Sequence, residues 1–453
     1  MASLSRRDFI KGIAAGALAL ACPRVSRSAA SAGRKPNIIF IIVDDMGYAN
    51  LGCFGSKTIL TPNIDRMCAE GIKFTDCYSG DTVCAPARST LMTGLHKGHT
   101  PVRSNPGGVP LFPEDVTVAE VLKKAGYATG GFGKWGLGNQ GKDGAAERQG
   151  FDLFYGYYNQ VHAHSYYTNL FRNSEIVNED RGYTHYAIFA ETIKFIKANA
   201  DKPFFCYCPW TPPHATYQMP ENDPAVALYK DKPWPQDAKT VAAMDSMMDR
   251  QVGEILSLLK TLGIEEDTIV FFTSDNGAAE RFDGIHDSSG KFKGFKRSMN
   301  EGGIRVPMVV RWPGRIKAGQ VSALPWYFPD VMPTLGELAG AAGDVPKNID
   351  GISIVPTLLA TGQQKEHEYL YWAIGDKQPG TQAVRMGRWK GIGGADGVKL
   401  YDLSVDVGEE HDLAAEHPDI AKKMRDIMAK AWVAPRSQQD DGKYTGEKPA
   451  KKQ

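Results

Sequence analysis

The segment Asn37-Ile38-Ile39-Phe40-Ile41-Ile42-Val43 carries no charge and stops at two acids, Asp44-Asp45. A strand with one wet face alternates apolar and polar residues, whereas a continuous apolar run needs cover on both sides. It therefore reads as a central parallel strand whose carboxyl end delivers two carboxylates. Thr117–Lys124 reads as a helix, opened by a Thr117/Glu120 capping box and stopped by Gly126. Tyr127–Phe132, Pro203–Tyr207, Thr268–Thr273 and Ile304–Val310 read as strands, the third closing on Ser274-Asp275-Asn276-Gly277. Tyr183–Asn199, Ala238–Leu262 and Tyr327–Leu338 read as helices. The alternation predicts an α/β fold, a mostly parallel sheet flanked by helices on both faces. In such sheets ligands gather beyond the carboxyl ends of the strands, where the polar clusters fall.

The 453 residues suffice for one such domain, placed at 33–375, and a smaller companion. Gln382–Ile392 and Lys399–Leu403 read as short antiparallel strands and Pro418–Trp432 as a helix, giving a C-terminal α+β subdomain at 376–436. Residues 437–453 are polar and lysine-rich and are expected to be loose.

Arg6-Arg7 precedes a short apolar stretch, Ile13 to Cys22, and then small residues such as Ala30-Ser31-Ala32. That is the pattern of a twin-arginine signal peptide over residues 1–32, implying a periplasmic or secreted protein. Ten apolar residues fall short of the about 20 that span a bilayer, and no other segment is long enough, so no stable membrane span is expected. Ala19-Leu20-Ala21-Cys22 is a weaker alternative signal, for lipidation at Cys22. The formal net charge of +1 gives no electrostatic case for nucleic acid. The first 32 residues hold five basic side chains and one acidic, so the chain beyond them stands at −3. Of seven cysteines six lie beyond the signal, too few for a disulfide scaffold, and Cys206 and Cys208 are expected to face opposite sides of their strand.

Asp44, Asp45, Asp275 and Asn276 offer three carboxylates and an amide oxygen at the ends of two strands expected to be neighbours. Hard oxygen ligands suit Ca²⁺ or Mg²⁺ and not zinc. The sharpest motif is Cys84-Ala85-Pro86-Ala87-Arg88-Ser89, with Thr93-Gly94 beyond it. Around it stand Asp44-Asp45, Gly133-Lys134-Trp135, Pro213-His214, Asp275-Asn276-Gly277, Glu301-Gly302-Gly303-Ile304-Arg305-Val306-Pro307 and Leu400-Tyr401-Asp402-Leu403. With these blocks in order, the chain resembles the sulfatase family.

The resemblance implies an alkaline-phosphatase-like fold and hydrolysis of sulfate monoesters by a sulfuric ester hydrolase. It implies that a formylglycine-generating or sulfatase-maturating enzyme oxidises Cys84 to formylglycine. One hydroxyl of the hydrated aldehyde attacks sulfur, and deprotonation of the other expels sulfate. It further implies one Ca²⁺ held by Asp44, Asp45, Asp275 and Asn276, with an oxygen of the modified residue 84. Arg88, a fixed cation one helical turn from Cys84, would hold the diol. Lys134, His214 and Lys296 match sulfate-contacting positions, His214 also serving as general acid, with Lys291 and Lys293 close competitors for Lys296. An exported enzyme meets polymers, which favours a sulfated glycan over a sulfated small molecule; Tyr166, Tyr167, Trp210 and Tyr217 are candidates to stack on sugar rings.

One position departs from the family pattern. Gly136 stands where many sulfatases carry the histidine that deprotonates the second hydroxyl. Within Asn159–Tyr167, His162 or His164 is the candidate replacement, the other facing substrate. His286, beside Asp287, is a candidate substrate contact, and His96 and His99 follow the signature motif closely enough to approach the pocket. Two rivals remain at this point: a formylglycine-dependent phosphonate or phosphate ester hydrolase, and a catalytically silent carbohydrate-binding relative suggested by Gly136.

Overall fold

The computed structural model describes residues 34–436 apart from 106–108, 178–181, 283 and 395–396, so the signal segment and the 437–453 tail lie outside the described residues. The described residues from 35 to 436 form one compact unit. Its centre is β1 (Asn37–Val43), every residue of which is buried. Ile38, Phe40 and Ile42 enter one hydrophobic layer, and Ile39, Ile41 and Val43 the other. The unbroken apolar run is thus explained by cover on two faces.

β1 is paired in parallel with β8 (Phe204–Pro209) on one side and β9 (Thr268–Ser274) on the other. Beyond β8 follow β4 (Ala128–Lys134) and β5 (Leu153–Tyr157), also parallel, then the antiparallel β6 (Leu170–Arg172) and β7 (Glu175–Val177). Beyond β9 lie the antiparallel β10 (Met308–Arg311), then β2 (Ile72–Phe74) and β11 (Gln320–Ser322). Helices Cys84–Thr93, Val118–Lys124 and Val331–Leu338 cover one face of this ten-stranded sheet; Thr184–Ala198 and Gln236–Thr261 cover the other. The Thr117/Glu120 capping box is present with both of its hydrogen bonds. Among the described residues no helix is long and apolar enough to cross a membrane.

Three local expectations are corrected. Ile304 belongs to a helical turn, Glu301–Ile304, and the strand begins only at Met308, because Pro307 precedes it and has no backbone N–H to give a ladder. Trp326–Tyr327, β12, pairs with β3 (Cys77–Tyr78) instead of opening a helix, which starts at Val331 after a turn containing Pro329. Cys206 and Cys208 share a face of β8, their sulfurs 3.6 Å apart, since residues two apart in a strand point the same way.

A four-stranded antiparallel sheet follows, β13 (Leu370–Ala373), β14 (Gln382–Met386), β15 (Trp389–Gly394) and β16 (Gly397–Asp402), packed by the helix Pro418–Lys430. Buried charges join it to the large sheet. Glu301 accepts from the Tyr78 hydroxyl at 2.6 Å, Arg305 at 2.9 Å and Lys390 at 2.8 Å. Lys390 also pairs with Glu409 at 2.9 Å, and Asp76 takes Arg305 at 2.7 Å and Arg385 at 2.9 Å. Lys390 is fully buried and is shared by two carboxylates. Lys390→Met would leave both carboxylates without their common cation and is expected to cost about 3–5 kcal/mol. Urea unfolding of the variant against the parent measures it.

Candidate functional site

Five adjacent parallel strands, β9, β1, β8, β4 and β5, end at one place, and the chain just past each of them supplies a polar group. β1 delivers Asp44 and Asp45, β9 delivers Asp275 and Asn276, and β4 ends on Lys134. The chain after β8 brings His214, and the chain after β5 brings His164. Cys84 and Arg88 enter from the helix Cys84–Thr93, in which all ten residues are buried.

Arg88 binds Asp275 through Nε (3.1 Å) and Nη2 (2.9 Å), lies 3.4 Å from Asp44, and donates through Nη1 to the Lys134 carbonyl at 2.5 Å. Lys134 Nζ donates to Asp44 at 2.5 Å and to His164 Nε2 at 3.2 Å. The Cys84 thiol donates to Asp44 at 3.1 Å, and Lys296 Nζ reaches Asp45 at 2.5 Å and Cys84 Sγ at 3.5 Å. His214 Nε2 lies 3.4 Å from Asp45, and its ring stacks on His164 with centroids 3.7 Å apart. Asp45 takes a left-handed conformation, φ 67°, tolerable for Asp, that turns the chain just beyond Asp44. Arg88, Asp44, Lys134 and Asp275 are sealed, whereas His214 and Lys296 keep 13% and 11% of their side chains exposed and mark the mouth.

The charges balance by proximity. Burial alone would raise the Asp44 carboxyl, yet Lys134, His214, Arg88 and Lys296 hold it well below the ordinary carboxylate range. Burial and the neighbouring Asp44 push Asp275 up, against Arg88. Burial, Lys134 and His214 drive His164 down to about 2, so its imidazole is neutral. Burial lowers His214 too, although Asp45 and Asp44 oppose it. Burial, reinforced by Asp44, raises the Cys84 thiol.

The donor set fits a hard divalent cation. Ligand atoms of Asp44, Asp45, Cys84 and His214 lie within 4.8 Å of one another. Asn276 Oδ1 is buried without a partner beside them, its Nδ2 donating to Asp45 at 2.6 Å. Turning that amide over presents an oxygen where an N–H now meets a carboxylate, which is what a cation there would require.

The structure brings together Asp44, Asp45, Cys84, Arg88, Lys134, His164, His214, Asp275, Asn276 and Lys296. Of the competing lysines, Lys293 donates to the Glu409 carbonyl at 3.1 Å and Lys291 lies over the Phe292 ring. His162 is not brought in: its Nε2 bonds the Thr168 hydroxyl at 2.7 Å and its ring packs on Tyr157 and Phe171. His286 is not free for substrate either, being 3% exposed with Nε2 donating to the Ala238 carbonyl and Nδ1 on the Thr58 hydroxyl. His96 and His99 turn to Asp350. Trp210 and Tyr166 are core residues, and Tyr166 holds the His214 carbonyl through its hydroxyl at 2.7 Å, a positioning contact with no local sequence signal.

Cations gathered around the buried helix Cys84–Thr93 at the carboxyl edge of a doubly covered parallel sheet define a class of proteins that bind anionic groups. Comparison with known proteins narrows the class. The sulfatase family profile matches residues 36–341, so the chain belongs to the sulfatases and is a sulfuric ester hydrolase. A second profile, N-sulphoglucosamine sulphohydrolase C-terminal, matches residues 290–433. Arylsulfatase A of Homo sapiens is 31% identical over 90% of this chain and 91% of its own length. N-acetylgalactosamine-6-sulfatase of Canis lupus familiaris is 34% identical over 80% of this chain and 72% of its own. The crystal structure of Ps i-CgsB in complex with k-i-k-neocarrahexaose superposes with a TM-score of 0.79, at 29% identity, covering 88% of this chain and 93% of that one.

Calcium titrated into the purified protein is expected to raise its Tm, and Asp45→Asn to abolish most of the rise. A parental Tm indifferent to calcium, read by scanning fluorimetry, would refute the oxygen-ligand reading.

Proposed function

We propose that the protein is an exported sulfatase acting on the sulfate monoester of a sulfated carbohydrate, with residue 84 as formylglycine and a Ca²⁺ held by Asp44, Asp45, Asp275 and Asn276. The observation that carries this is the position of residue 84, fully buried yet within reach of Asp44, Lys296 and the Arg88 cluster. When present, the two groups supply a hydroxyl nucleophile on residue 84 and positive charge for the sulfate oxygens. A carbohydrate is favoured by relatives named for N-acetylgalactosamine-6-sulfate chemistry and by the likeness to the neocarrahexaose complex. The paired arginines ahead of the Ile13–Cys22 stretch support export, and with it a catalytic domain that begins at residue 33.

The chain's own side chains divide the remaining work. Lys134 and Lys296 flank the nucleophile position and offset the negative charge of the bound ester. Arg88 fixes Asp275 and, through the Lys134 carbonyl, the strand end that carries Lys134. His214 donates from Nδ1 to the Ala215 carbonyl at 2.5 Å, which leaves Nε2 to hold the proton for the leaving oxygen, with Asp45 steadying the charged form. His164, its ring stacked on His214 and its Nε2 3.2 Å from Lys134 Nζ, is the imidazole placed to compensate for Gly136. An imidazole in place speaks against the silent-relative reading.

Mass spectrometry of the peptide carrying residue 84, from protein made in its native host, is expected to show the oxidised residue; an unconverted thiol there overturns the nucleophile. Matched aryl sulfate and aryl phosphate assays are expected to favour the sulfate, with the reverse order supporting the phosphoryl rival. His164→Ala is expected to slow single-turnover sulfate release by about 10²-fold or more, the range of a lost acid–base group. His162→Ala should leave that rate within about twofold and act on stability through its loop. Equal release rates in both variants and the parent would remove His164 from the reaction.

A further inference from the structure

The turn that carries His164 holds a second polar side chain, Gln160. Ala163 N–H donates to the Asn159 carbonyl at 3.1 Å and His164 N–H to the Val161 carbonyl at 3.2 Å, so residues 159–164 wind as one helical turn. The last three of them, His162–His164, are a 3₁₀ turn. His162 points away from the site toward Thr168 and Phe171.

Gln160 is 5% exposed, yet neither its Nε2 nor its Oε1 has a hydrogen-bond partner. A buried carboxamide with both ends unpaired is costly, and native structures keep such groups where a ligand or water completes them. Its location is fixed by a second observation. Gly136 follows Lys134 by two residues, with φ +78°, and a Cβ built there would lie 1.8 Å from Gln160 Nε2. Trp135 between them turns away, its indole N–H bonding the Gly144 carbonyl at 2.8 Å. The amide of Gln160 thus occupies the space that a side chain at position 136 would take, beside the strand end that carries Lys134.

We propose that Gln160 is a substrate-contacting residue whose Nε2 donates to a sulfate oxygen, and that Gly136 is glycine to make room for it. The assignment rests on the sulfatase reading and extends its anion pocket on the Lys134–His164 side. Sulfate oxygens only accept hydrogen bonds, and the carboxamide N–H₂ gives two without adding charge to a cluster already crowded with cations. A glutamine cannot serve as the missing base; it orients the group whose proton traffic falls to His164 and His214.

Gln160→Met keeps the volume and loses the amide; Gln160→Glu keeps the shape and adds a negative charge. Inorganic sulfate binding by calorimetry is the first readout, and kcat and KM on an aryl sulfate the second. Loss of a hydrogen bond to a charged group predicts about tenfold or more weaker sulfate binding for Gln160→Met, and charge repulsion a larger loss for Gln160→Glu. A residue that only fills space would leave Gln160→Met at parental affinity and turnover, and that result overturns the proposal. Should Gln160→Met fail to fold, parental sulfate affinity in Gln160→Glu overturns it equally, as does a parent that binds no sulfate. A parent that binds sulfate but hydrolyses no sulfate ester overturns the sulfatase reading instead, and the binding comparison still decides Gln160.

Discussion

The structure depends on keeping Asp44 ionised where no water reaches it. A buried carboxylate is stable only if cations and hydrogen bonds replace its hydration. Here Lys134 at 2.5 Å, Arg88 at 3.4 Å and the Cys84 thiol at 3.1 Å do so from two different elements, a strand end and the helix Cys84–Thr93. Removing any one of them leaves the others with unmatched charge. The strand ends, the signature helix and the catalytic geometry are consequently one electrostatic object. The parallel sheet makes this possible, because it alone brings five chain ends to one edge without returning the backbone through the site.

A second charged cluster has a different task. Glu301 opens the Glu301–Pro307 block that the sequence marks as a family motif without revealing its use. In the fold it meets Tyr78, Arg305 and Lys390 and anchors the C-terminal sheet. The same segment carries Lys296 a few residues earlier, and Lys293 reaches the Glu409 carbonyl at 3.1 Å. The small sheet therefore braces the loop that brings Lys296 to within 3.5 Å of the Cys84 sulfur.

What the sequence revealed follows the range of the forces involved. The buried strand Asn37–Val43, the Thr117 capping box and the long helices are specified by neighbours within a few residues, and they read correctly. Asp44, Arg88, Lys134 and His214 were legible because each sits in a short block with a resembling counterpart. Errors arose where tertiary contacts choose between near-equal local options. Ile304 looks like strand but is held in a turn by the contacts of Glu301. His162 and His164 are indistinguishable by pattern, and only the coiling of their loop turns one inward. His286 sits beside polar residues yet is consumed by Ala238 and Thr58. Gln160 had no signal apart from the glycine it faces.

The burial of Cys84 has a consequence in time. Its side chain is 1% exposed once Asp44, Lys134 and Asp275 have closed around it. A sulfur sealed in this way is open to a second protein only before the sheet has closed. About 190 residues separate Cys84 from Asp275, the last of the five site-forming strand ends to emerge, which at typical synthesis speeds of roughly 5–20 residues per second is roughly 10–40 s. The order of strands along the chain thus works as a clock for how long the thiol at residue 84 stays open.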